Sequence, residues 1–360
     1  ISRRSVQLVN FKASKLIVKT NPSLMRAVAV NSNHQSKDFG PDAFVDVELE
    51  IPMLKPTDIR VRVKAVAINP IDLKMYRGAK NPGTVLGWDV AGVVESVGVE
   101  ATLFQVGDEV YYAGVVTRPG CFSELHVVDE KIVGSKPKTL SFTEAAALPL
   151  TSITCWEALF EKMGIPKSKS DATLLVVGGG GGVGSMAIQL GARVAGLRVI
   201  ASASRNESRK QCMAMGASIV VDHSLPLSAQ LKALDIKSVD YILCATDPAP
   251  IFAELADIIS PQGKICSLVE SSVDLPMNLL RAKSVGFLWE GAFTKALFRT
   301  KDMITQHEIL NQVAELVDVG VLKTTLSEEL ESISAINLGA ACHRLSKGGV
   351  VGKIVLNGFN

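Results

Sequence analysis

Neither sign of charge dominates this chain: 38 Lys+Arg stand against 36 Asp+Glu over 360 residues, a formal net charge of +2. That balance gives no support to a polyanion partner, and nucleic-acid binding is not expected. Cysteine is scarce. The six, Cys121, Cys155, Cys212, Cys244, Cys266 and Cys342, follow no CxxC or paired spacing, which argues against a disulfide framework and a structural zinc knot. The five histidines are equally dispersed, with no HExxH. A charge-free stretch over 172–192 has about the length of a membrane span. Its middle is Gly178 to Gly182 with Gly184 following, and glycine at that density makes a poor helix interior and a good turn. The stretch reads as a buried strand, a glycine turn and a buried helix, and no membrane association is expected.

Acid is missing from the first 24 residues, which carry Arg3, Arg4, Lys12, Lys15 and Lys19. Basic, Ser-containing leaders of this kind resemble organelle transit peptides. The alternatives are a tag or an untargeted extension, so the expectation is a cytoplasmic protein with organellar import left open. The 360 residues are 47% hydrophobic overall, enough for two cores at about 100–200 residues per domain.

From Met25 to about Leu150 short β runs alternate with turn residues. Ile59-Arg-Val-Arg-Val-Lys-Ala-Val alternates with period two, and Val90-Ala-Gly-Val-Val-Glu-Ser-Val and Gly107-Asp-Glu-Val-Tyr-Tyr-Ala follow, as half-buried strands should. An antiparallel, barrel-like domain is expected. After Thr143 strands and helices alternate, through Ala172–Val177, Arg198–Ala203, Val239–Cys244 and Ser284–Trp289. That alternation specifies a parallel sheet covered on both faces. The tail ending Val350-Val-Gly-Lys-Ile-Val-Leu returns to the β style and is expected to rejoin the first domain.

The glycine turn lies between a strand and a helix. Gly179, Gly181 and Gly184 meet GxGxxG, which allows a tight turn, close approach of a pyrophosphate and close helix packing. Gly182 and Val183 open the helix, whose free N–H groups and positive dipole end favour phosphate. An NAD-type site places an acid about 20 residues further on. Here Ser202, Ser204 and Arg205 stand in that place, hydroxyls and a guanidinium suited to a 2′-phosphate. NADP(H) is the expected cofactor.

These features, together with Ala67-Ile-Asn-Pro-Ile-Asp, Leu86-Gly-Trp-Asp-Val-Ala-Gly-Val-Val, Gly107-Asp-Glu-Val-Tyr and Ala145-Ala-Ala-Leu-Pro-Leu-Thr-Ser-Ile-Thr, resemble the medium-chain dehydrogenase/reductase superfamily. The nearest resemblance is to its quinone oxidoreductase branch, including zinc-type alcohol dehydrogenase-like members that lack zinc. It implies an α/β chain with a GroES-like β-barrel catalytic domain (25–151 and 293–360) and a Rossmann doubly wound domain (152–292). In the zinc enzymes of the superfamily a cysteine stands where Ile68-Asn69 sits, and Gly-His-Glu where Gly87-Trp88-Asp89 sits. The third ligand falls near Leu148-Pro149, and a four-cysteine lobe precedes Phe122. None of those ligands is present here, so no metal is expected.

The resemblance further implies hydride transfer from NADPH to a quinone or α,β-unsaturated carbonyl, by a homodimer paired through the sheet edge near 284–290. Asn69 and Asp72 carry over to the catalytic loop; Lys74 stands where quinone reductases often show a tyrosine, with Tyr76 following. Asp72 could instead cap the helix after Pro70, and Lys74 could pair with a surface acid. Thr154 is expected on the nicotinamide side and His223 on the adenosine side, with a backbone-bonded hydroxyl and a surface histidine as the alternatives. Thr246 and Leu268 follow strand ends and are expected along the nicotinamide. Trp88, Phe287 and Trp289 are candidates for a cleft wall. The competing function is a cofactor-binding protein with an interaction role and little turnover.

Overall fold

The computed structural model describes residues 24–31, 39–40, 42–79, 81 and 83–359. The leader expected over residues 1–24 lies, apart from Leu24, outside them. The described residues up to Ser135 build mainly β structure: β1 (Leu24–Val30), β2 (Phe44–Glu50), β3 (Asp58–Ala67), β4 (Val90–Val97), β5 (Glu109–Tyr112), β6 (Leu125–Asp129) and β7 (Val133–Ser135). In β3 the alternation of the sequence becomes an alternation of faces. Ile59, Val61 and Val63 are buried, while Arg60 and Arg62 point out and pair with Glu95 of β4 at 2.6 and 2.8 Å. One helix interrupts the strands, α1 (Pro70–Gly78), with proline at its first turn, where a missing N–H costs nothing.

Next come α2 (Phe142–Ala146), α3 (Pro149–Trp156) and the parallel sheet. Its strands are β8 (Thr173–Val177), β9 (Arg198–Ser202), β10 (Ile219–Val221), β11 (Val239–Cys244), β12 (Ile259–Ser267) and β13 (Gly286–Trp289), in spatial order β10-β9-β8-β11-β12-β13. Numbered from its own first strand that order is 3-2-1-4-5-6, the dinucleotide-binding arrangement. The helices are α4 (Gly182–Gln189), α5 (Asn206–Met215), α6 (Leu227–Ala233), α7 (Phe252–Ile258) and α8 (Asn278–Arg281). Successive strand residues feed two cores. Leu174, Val176, Val199 and Ala201 join the core shared with the β domain, whereas Leu175, Val177, Ile200 and Ile242 join a second core with α6 and α7. A sheet buried on both faces explains why these strands carry continuous apolar runs. Past α3 and α4 the helices widen into π-helical turns at Glu157–Lys162 and Leu190–Val194.

The remaining elements are α9 (Thr294–Phe298), α10 (Thr305–Asp318), β14 (Leu326–Ser332), α11 (Ala335–Ser346) and β15 (Lys353–Asn357). β15 pairs antiparallel with β3, Val355 opposite Ala67. β14 and β15 run parallel, because the crossover through α11 returns the chain in the same direction. This departs from the purely antiparallel domain read from the sequence. Just before β15 the chain crosses to the other domain: Gly352 N–H donates to the Gly180 carbonyl at 3.0 Å. No helix among the described residues is long and apolar enough to cross a membrane.

Candidate active site

The bend between β3 and α1 fixes Asn69. Its backbone N–H donates to Asp72 Oδ2 at 2.6 Å, so Asp72 secures the start of α1 from inside the protein. The Asn69 side chain turns the other way, where Nδ2 donates to Asp89 Oδ2 at 3.0 Å. Asp89 also accepts the Leu150 N–H on Oδ1 at 2.8 Å, which docks α3 on the site. The network closes through Lys353 from β15, which donates to Asn69 Oδ1 at 2.5 Å and to Asp89 Oδ2 at 2.9 Å. All four side chains are buried. Burial pushes the Asp72 carboxyl up to about 7, against the Asn69 N–H and the Lys353 charge, which lower it. Asp89 is also raised by burial, with Lys353 and Asn69 opposing.

Sequence reasoning missed Lys353. The available signal was a single charge inside the apolar run Val350–Leu356; a contact across 284 positions has no local trace. The same side chain joins the two domains, since a Cβ on Gly182 would fall 2.6 Å from Lys353 Cδ. The buried network therefore touches the first turn of α4.

The glycine turn departs from β8 with Gly178 at φ +83°, a left-handed conformation that suits glycine. A Cβ on Gly184 would lie 2.3 Å from the Gly178 carbonyl, and one on Gly179 2.8 Å from Cys212 Sγ. These glycines serve tight packing. Gly181 differs: nothing lies within 4 Å of its Cβ position. It caps α4 with no side-chain partner, which leaves an open approach to the free helix N–H groups. The turn thus fits a dinucleotide pyrophosphate by shape and polarity. Strand register aligns Val177, Cys244, Ser267 and Trp289, so Thr246 and Leu268 emerge on the same sheet edge as the turn.

Several expected residues take other places. Ser202 is wholly buried, and its Oγ accepts the Gly178 N–H at 3.0 Å. It braces the turn from beneath, so the expected hydroxyl contact to a cofactor phosphate is corrected. His223 is exposed, its Nδ1 3.3 Å from that Oγ. Ser204 and Arg205 are exposed at the start of α5, with the Arg205 guanidinium against Gly349. Thr154 Oγ1 donates to the Leu150 carbonyl one turn back at 2.7 Å, the backbone-bonded alternative. Tyr76 is corrected too: it is buried among Phe39 and Phe44, ring centroids 4.7 and 5.3 Å away. Two positions apart on α1, Lys74 and Tyr76 point to nearly opposite sides of the helix. Lys74 faces out and pairs with Glu270, beyond β12, at 2.9 Å, linking the two domains at the surface.

A catalytic zinc takes three protein N, S or O ligands. At the positions that the family resemblance gives to zinc ligands stand the Asn69 amide, the Trp88 indole and Leu148-Pro149, while Asp89 is engaged by Lys353, Asn69 and Leu150. Cys121 is buried with its thiol pushed up by desolvation, unlike a metal-binding thiolate. Among the described residues no group of three His, Cys, Asp or Glu could hold a metal ion. The residues present do not fit zinc. Trp88 instead packs edge-on against Phe293, centroids 6.4 Å apart, which closes one wall between the domains.

Comparison with known proteins decides the family. Residues 55–138 match the alcohol dehydrogenase GroES-like domain, and residues 215–356 the zinc-binding dehydrogenase domain. A zinc-type alcohol dehydrogenase-like protein of Staphylococcus epidermidis is 34% identical over 337 residues, 92% of this chain and 99% of the relative. The chain belongs to the medium-chain dehydrogenase/reductase superfamily. Its two-part fold and oxidoreductase class follow from that membership. A solved Rhizobium etli CFN 42 protein, described with the zinc-dependent alcohol dehydrogenases, is 43% identical with a TM-score of 0.88, covering 94% of this chain and 99% of that one. A Pseudomonas syringae quinone oxidoreductase is 26% identical with a TM-score of 0.77, covering 92% and 99%. The 2-methylene-furan-3-one reductase of Solanum lycopersicum is 38% identical over 200 residues, 52% of this chain and 50% of its own.

Proposed function

We propose that this superfamily member reduces quinones or α,β-unsaturated carbonyls with NADPH and without zinc. The observation that carries the reading is the closed Asn69–Asp89–Lys353 network, which occupies the position of the zinc site and touches Gly182 of the dinucleotide turn. Without a Lewis acid, an unactivated alcohol loses its usual alkoxide stabilisation, whereas an enone or quinone already delocalises the incoming negative charge. The names of the tomato and Pseudomonas relatives are consistent with such acceptors.

When bound, NADPH supplies the hydride. The chain holds the cofactor by the N–H groups of α4 beyond Gly181, with Gly179 and Gly184 keeping the turn tight and Val183 opening the helix. Ser204 and Arg205 take the 2′-phosphate, with His223 beside them, while Thr246 and Leu268 line the nicotinamide side. Asn69, set by Asp72 and Lys353, forms the rigid floor of the cleft, and Trp88 with Phe293 excludes water from it. Lys74 exchanges Glu270 for the developing enolate or quinol oxygen and stabilises its charge. The functional unit is a homodimer. Trp289 is 50% exposed on β13, with Val273 and Met277 nearby also exposed, and an apolar sheet edge of this kind requires cover.

The test is NADPH oxidation with a 2-alkenal and with 9,10-phenanthrenequinone. Turnover with either supports the proposal; tight NADPH binding with no turnover on any acceptor favours an interaction role instead.

A further inference from the structure

Behind the Trp88–Phe293 wall lies a pair of acids that the proposed reaction does not use. Glu290 follows β13 directly, and its N–H donates to the Ser267 carbonyl at 3.1 Å. Its carboxyl turns inward. Both oxygens are buried and no protein N–H or O–H donor reaches them. The polar group they meet is the carboxyl of Glu157, at the start of the π-helical turn after α3. Glu157 is 1% exposed and Glu290 5%.

Two buried carboxylates in contact repel strongly, and the contact becomes attractive when one proton lies between them. The surroundings decide which partner carries charge. Glu157 Oε1 accepts from Gln306 Nε2 at 3.1 Å and lies 3.3 Å from Lys295 Nζ. Lys295 also reaches Glu161 at 2.6 Å and Thr305 at 2.7 Å. The cations and donors therefore gather on Glu157, so Glu157 is the ionised partner and Glu290 the protonated one. The other titratable groups acting on Glu290 are Lys162 and Lys295, whose charges oppose the effect, and the nearby Cys155 and Cys266 thiols. Desolvation and Glu157 push Glu290 up to about 9.

The same bonds tie this pair to the cleft wall. Gln306 Nε2, which serves Glu157, also donates to the Ala292 carbonyl at 2.7 Å. Residues 290–293 run from the nicotinamide edge of the sheet, at Ser267, to Phe293, whose ring meets Trp88. Lys295 anchors the segment immediately afterwards. We propose that Glu290 is a positioning residue, holding segment 290–293 and hence the Trp88–Phe293 wall through one proton shared with Glu157. Ionisation of Glu290 places two negative charges together in a buried space and releases the segment from Glu157.

The test uses the full chain and two readouts. Infrared spectra taken at a pH between the Asp72 carboxyl, at about 7, and Glu290, at about 9, should show the carbonyl stretch of a buried carboxylic acid, lost in Glu290→Gln. The activity arm rests on the reductase reading: wild-type kcat/KM should fall as pH rises through about 9. Glu290→Gln donates permanently to Glu157, so it should keep neutral-pH kcat/KM within about twofold and show no such fall. Persistence of either the acid band or the alkaline fall in Glu290→Gln overturns the proposal. Should that variant fail to fold, Glu157→Gln, which removes the neighbouring charge but not the desolvation, must lower the pH at which the band disappears, and an unmoved midpoint is equally contrary. Absence of turnover on every acceptor would sink the reductase reading while the infrared arm still decides on the shared proton.

Discussion

The ammonium of Lys353 lies 2.9 Å from the Asp89 carboxylate, one from the last strand and the other from the segment before β4, both buried. Breaking such a pair from one side leaves an uncompensated charge, which costs about 3–5 kcal/mol. Lys353→Met should therefore lower Tm markedly and weaken NADPH binding through the lost contact at Gly182. Adding Asp89→Asn should restore much of the stability. Thermal melts of the single and double variants check this, and an unchanged Tm for Lys353→Met contradicts the account.

Two alanine substitutions in the glycine turn should part company. Gly184→Ala brings a methyl within 2.3 Å of backbone and should destabilise the fold. Gly181→Ala meets nothing within 4 Å and needs no unusual φ, so its Tm should stay near wild type. Its methyl would nevertheless stand in the phosphate approach, and its NADPH Kd should rise about tenfold or more, near the 1.4 kcal/mol such a factor represents. Titration by fluorescence measures the difference.

Cofactor choice rests on Arg205. Arg205→Glu should raise the NADPH KM strongly and leave the NADH KM little changed, as expected when a guanidinium facing a phosphate is replaced by a like charge. Steady-state kinetics with both cofactors settle it; an unchanged NADPH KM removes Arg205 from the site.

Lys74→Met should lower kcat on a 2-alkenal with little effect on the NADPH KM, because the charge acts on the developing oxygen anion. A kcat within about twofold of wild type would remove Lys74 from the mechanism and leave its pairing with Glu270 as a surface contact, of little energetic consequence.

Asp72 predicts a pH dependence of stability. Its carboxyl holds a proton more tightly in the folded state, about 7 against 3.8 when unperturbed. Its contribution is therefore fully present below about 3.8 and is lost as pH rises through 7, at about 1.4 kcal/mol per pH unit. Asp72→Asn should flatten denaturation midpoints across that window; an unaltered slope contradicts the assignment.

The parallel sheet was legible in the sequence because burial on both faces writes itself as apolar runs between glycines, and the turn because its glycines sit within 178–184. Lys353 was not, since its partners lie in the first third of the chain and only the return of β15 beside β3 brings them together. Ser202 reads in the sequence as a hydroxyl for the 2′-phosphate, but that it turns beneath the glycine turn to accept the Gly178 N–H depends on strand register. Tyr76 was misplaced by reading along the chain where the helix reads around an axis. The Glu290–Glu157 pair joins two elements 133 positions apart by sequence number and leaves no motif.

The proposed hydride reduction needs no zinc. The direct measurement is the rate of NADPH oxidation with a 2-alkenal by protein stripped with a chelator, its zinc content determined on the same sample. Undiminished turnover at a zinc content far below one per chain is the predicted result. Loss of turnover on stripping, restored by one zinc per chain, would contradict it.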